Sequence, residues 1–259
     1  MTISQLAALI FVLLGAIALV VYGFLYQRKK RVDVDFQRAY PVFKSASDEV
    51  GRAAEEGILV HVALGSGSIM GENAMTSVAA LQGLSAMLNL TASYNIPPLI
   101  TTGDPTLYLL ATDWVRRAYI QQGNLRHYRP ISVQFTAANP ALYTAMAATY
   151  LFDGGIGANF ALGSFDQEVS LLADVAKRQG VYTAGGTVSP QGLGALYPAL
   201  NPKQLVMGED LFSGCVSVSD HSLYRASLWS QDVLRLVVII SIIVLAVLSS
   251  LGIVSVGGG

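Results

Sequence analysis

Residues 58–68, Ile58-Leu59-Val60-His61-Val62-Ala63-Leu64-Gly65-Ser66-Gly67-Ser68, decide the fold of this chain. A short apolar run with branched side chains stops at a Gly-Ser-Gly-Ser turn, and that length and composition read as a buried strand. From about Asn73 to Ser93 the chain carries no proline and favours Ala, Leu and Met, so it reads as a helix. Strand, small-residue turn and helix in that order form the repeating unit of a parallel α/β sheet.

The unit recurs outward from this point. Val42 to Glu56 reads as a preceding helix closed by Gly57, and further strands are expected at 98–102, 132–136, 157–162, 181–184 and 204–207. Asp104-Pro105, Asn139-Pro140 and Ser189-Pro190 each place a capping oxygen before a proline, the signature of a helix start. Another helix is expected from Gln167 to Gln179, and one from His221 onwards. The expected fold class is α/β: a doubly wound, mainly parallel, Rossmann-like sheet.

Such a sheet binds ligands beyond the carboxyl ends of its strands, where helix N-termini present free N–H groups. The turns there supply the candidate ligand-binding residues Gly65, Ser66, Gly67, Ser68, Thr102, Asp104, Gly163, Ser164, Asp166, Gly186 and Glu209. Small residues admit a ligand to the backbone and hydroxyls hydrogen-bond it, which suits a small polar or anionic molecule. The same residue types also serve as plain turns and caps, and both readings stay open.

Two uncharged stretches, residues 3–26 and 236–256, bracket the domain. At about 1.5 Å per residue, each is long enough for roughly 30 Å of hydrocarbon. Tyr22, Tyr26 and Arg28-Lys29-Lys30-Arg31 close the first, and Trp229 and Arg235 precede the second. Basic and aromatic flanks on the domain side predict a two-pass protein of the cell membrane, with both termini outside. Residues 1–31 are then the first transmembrane helix and its basic stop, 32–232 the cytoplasmic domain, and 233–259 the second helix and a short tail. A cleaved signal peptide fits less well, because residues 1–5 lack a charged side chain and the apolar core is long.

Between residues 32 and 232 there are eleven Lys and Arg against seventeen Asp and Glu, a net charge of −6 with no basic stripe, which excludes a nucleic-acid partner. The single Cys215 excludes an internal disulfide, and His61, His127 and His221 match no metal-ligand spacing, so no metal is expected. Gly65-Ser66-Gly67-Ser68-Ile69-Met70-Gly71 brings its third glycine one residue late for a dinucleotide fingerprint, and neither a phosphate loop nor a nucleophile elbow occurs. No cofactor is therefore identified, and no catalytic residue. Charged residues make up about 14% of the domain, against roughly 25% in ordinary ones, and segments 73–103, 130–152 and 179–202 carry none. Their faces are either buried within the domain or covered by neighbouring copies or partner subunits.

The order of segments, with LVHVALGSGSIMG, PPLITTGDPTLYLLATDWVRRAY, an Asn-Pro helix start, ALGSFDQEVSLLADVAKRQG, TAGGT and GEDLF between two apolar stretches, resembles a family of bacterial two-span membrane proteins classed as a domain of unknown function. The resemblance covers nearly the whole chain, implies the same topology and origin, and carries no assigned catalytic residue. The expected function is a membrane-anchored oligomeric assembly or scaffold protein, with a small anionic ligand at the strand ends and the lipid bilayer, further copies or other membrane subunits as partners. Two alternatives stand beside it. One is a membrane-bound enzyme acting on a nucleotide-like or anionic substrate through Asp104, Asp166 and Glu209, and the other is an accessory subunit of a larger energy-converting or transport complex.

Overall fold

The computed structural model describes residues 41–123, 125–218 and 222–250, together with Gly15, Ile17 and Val21. The chain divides into two compact units, one of residues 37–219 and one joining Met1–Phe36 to Asp220–Gly259.

In the larger unit, helix α1 (Pro41–Glu56) is followed by β1 (Leu59–Gly65), α2 (Ala74–Ser93), β2 (Leu99–Thr102) and α3 (Pro105–Gln121). Then come β3 (Val133–Phe135), α4 (Pro140–Phe152), β4 (Ile156–Ser164), α5 (Val169–Arg178), β5 (Tyr182–Thr187), α6 (Pro190–Leu196), β6 (Leu205–Met207) and α7 (Glu209–Val218). The six strands form one sheet in the order β3-β2-β1-β4-β5-β6, and every pairing is parallel. This is a Rossmann-like α/β domain, with a wholly parallel sheet.

Strand alternation sorts the core into two layers. Val60, Val62 and Leu64 of β1 face one side, packed with Ile100, Phe160 and Leu162 under α1, α2, α3 and α7. Ala63 and Ala161 face the other, under Tyr143, Ala147 and Leu151 of α4, Leu172 and Ala176 of α5, and Leu196 of α6. Helices thus cover both faces, which is why β1 and β4 read as near-continuous apolar runs rather than as alternating ones.

Element positions expected from sequence differ by a few residues, with three informative exceptions. Gly163-Ser164 and Gly185-Gly186-Thr187, expected as turns, are the closing residues of β4 and β5. Their glycines are there for space: a Cβ on Gly185 would lie 3.0 Å from Leu200 Cδ1, and one on Gly186 would lie 2.9 Å from Leu211 Cδ1. Residues after Gly208, where the sequence reading placed no element before the helix from His221, form α7 and bury Leu211 and Cys215.

In the smaller unit, α8 (Ser222–Ser250) is one continuous helix. Among the described residues no helix is long and apolar enough to cross a membrane. The expected span 3–26 lies outside the described residues except for Gly15, Ile17 and Val21, and the span 236–256 is described as backbone only to Ser250, with side chains only as far as Ile243. On α8, Leu236, Ile239, Ile240, Ile242 and Ile243 are all at least half exposed. A Cβ on Gly15 would lie 3.1 Å from Leu234 Cδ1, so the Gly15 backbone packs directly on that leucine.

The closest backbone approaches lie where β1 meets β4. A Cβ on Gly65, whose φ is +80°, would lie 2.3 Å from the Ser164 carbonyl oxygen, and one on Gly163 would lie 2.1 Å from that of Leu64. Gly65→Ala and Gly163→Ala are each expected to cost about 3 kcal/mol or more in urea unfolding, through a clash with backbone that cannot move aside. Gly57→Ala, at φ +70° in open space, should cost only about 1 kcal/mol.

Candidate functional site

The strand order reverses between β1 and β4, and in open parallel sheets the crevice beyond the carboxyl ends at that reversal is the default ligand site. The structure brings the Gly65–Ser68 turn and the Gly163–Asp166 segment together there. A Cβ on Gly67 would lie 2.5 Å from Ser164 Cβ, and one on Gly103 would lie 3.0 Å from Ser66 Cα.

Past the strand ends the turns bond to one another. Thr136 N–H donates to the Thr102 carbonyl (3.1 Å), Gly103 N–H to that of Gly65 (2.9 Å), Ser66 N–H to that of Ser164 (3.3 Å) and Gly208 N–H to that of Thr187 (3.2 Å). Phe165 N–H donates to Thr187 Oγ1 at 3.3 Å. Most of the candidate residues are engaged in this stitching or in capping. Thr102 Oγ1 accepts from Asp104 N–H. Asp104 caps α3, accepting from the amides of Thr106 and Leu107 and from the Thr106 hydroxyl. Ser68 Oγ accepts from Met70 N–H at 3.2 Å. Asp166 accepts from Ser189 Oγ at 2.5 Å. Gly186 lies within β5 against Leu211 and Val206, and Glu209 lies in the first turn of α7.

The hydroxyls of Ser66 and Ser164 make no hydrogen bond among the described residues, and two backbone donors beside them are also open. Among the described residues the amides of Gly67 and Ser68 make no hydrogen bond. The electrostatics around them oppose an anion, however: the strand-end turns carry Glu72, Asp104, Asp166, Glu168, Glu209 and Asp210 and no Lys or Arg. Cys215, the other reactive group nearby in sequence, is fully buried, and burial pushes its thiol up to about 12, so it is no nucleophile. Among the described residues no cluster of His, Cys, Asp or Glu could hold a metal ion.

A second polar constellation lies in the layer under α4, and sequence reasoning passed over it because His61 stands inside an apolar strand. His61, Asn159 and Thr183 are lateral neighbours on β1, β4 and β5. His61 Nδ1 lies 2.8 Å from Asn159 Oδ1 and Nε2 lies 3.0 Å from Thr101 Oγ1. With the Asn159 oxygen as acceptor, Nδ1 carries the proton and Nε2 accepts from the Thr101 hydroxyl. Tyr143 Oη lies 3.2 Å from Thr101 Oγ1 and accepts from Gly65 N–H at 3.2 Å. At the other end Asn159 Nδ2 donates to Thr183 Oγ1 (3.5 Å), which donates to the Val181 carbonyl (3.3 Å). All five side chains are buried. The relay cannot touch a substrate; it ties the sheet interior to the amide of Gly65, and so holds the switch-point turn in place. The legible signal was a polar residue inside each of the buried strands β1, β2, β4 and β5, with His61, Asn159 and Thr183 in one lateral row.

Burial lowers the His61 pKa from 6.5 to about 4, the Asn159 hydrogen bond opposing this only partly. The folded protein therefore binds this proton less readily than the unfolded chain does. Stability is full above about pH 6.5 and falls as the pH drops towards about 4, with roughly 2 kcal/mol gone by about pH 5. Urea midpoints taken at about pH 7 and pH 5 should show this loss, and His61→Asn should abolish that part of the slope while lowering stability at both. No curated protein and no solved structure matches the chain. A family model does match, over residues 1–257, and its description is Domain of unknown function (DUF6754). The chain belongs to the DUF6754 family.

Proposed function

We propose that this protein is a membrane-anchored assembly protein, in which the Rossmann-like domain associates with further copies and the smaller unit supplies the anchor. The observation that carries the reading is the described face of α8. Leu236, Ile239, Ile240, Ile242 and Ile243 are each at least half exposed, an apolar surface that lipid satisfies and water does not. The uncharged stretches 3–26 and 236–256 and the packing of Gly15 on Leu234 support a pair of spans. The basic residues 28–31 and Arg235 favour a cytoplasmic domain with both termini outside.

The strand ends favour assembly over catalysis. Asp104 is closed within its cap and Asp166 is bonded to Ser189. Among the described residues of these turns, a nucleotide-like or anionic substrate would meet carboxylates and no Lys or Arg. A small ligand on the amides of Gly67 and Ser68 is a secondary feature of this reading and is weakly held if anionic.

Membrane fractionation tests the proposal. The full chain is expected to stay in the membrane pellet through an alkaline carbonate wash and to emerge in mild detergent as a homo-oligomer. Recovery in the wash overturns the anchor, and a monomer overturns the assembly role. Stable co-purification with other membrane proteins would instead make it an accessory subunit of a larger complex.

A further inference from the structure

We draw no further inference here: the strongest candidate, the strand-end crevice at the β1–β4 switch point where the Ser66 and Ser164 hydroxyls lie beside the amides of Gly67 and Ser68, belongs to the site already described, and nothing in the structure shows what fills it.

Discussion

The close crossing of β1 and β4 governs this structure. Their last residues run so near one another that Gly65 and Gly163 have no room for a side chain, because backbone carbonyls of Ser164 and Leu64 occupy the place of a Cβ. The two central strands are also the point at which the order of the sheet reverses, so the tightest backbone contact coincides with the location where a doubly wound fold offers its crevice. In many such sheets a glycine turn keeps space for a ligand. Here the glycines chiefly keep space for the protein, and the neighbouring turns extend the hydrogen-bond ladder beyond the strands.

The buried relay completes that arrangement from below. A histidine in a parallel strand would be costly without partners, and His61 has one for each nitrogen. Each member of the chain from Val181 to Gly65 gives one proton and receives one, so no polar atom along it is stranded. The order of donors follows from the acceptor-only carbonyl at one end and the amide donor at the other. Loss of a single member would leave two neighbours unsatisfied, which makes the network an all-or-none element of the core.

Much of the fold was legible because strand, turn and helix alternate with clear punctuation. Pro105, Pro140 and Pro190 each open a helix behind a capping residue, as their positions predicted. The errors have local causes. Gly163, Gly185 and Gly186 look like turn residues, but in this core they mark tight packing, which depends on neighbours such as Leu64, Leu200 and Leu211 that are distant in sequence. Helix α7 was hidden because Gly208 precedes it and it is short, without a proline or capping residue to announce its start. The candidate site was legible as a place, since Gly65–Ser68 and Gly163–Asp166 do meet. The engagement of Thr102, Asp104 and Asp166 by caps and turns was not legible, because a cap and a ligand use the same oxygens.

The carboxylates gathered at the strand ends have an effect at longer range. Glu72, Asp166 and Glu168 lie in the turns at one end of the domain, and those turns contain no Lys or Arg. Two copies approaching end to end would bring these groups together, and the repulsion would grow as water was squeezed out between them. The acidic end thereby discourages end-to-end contact between domains.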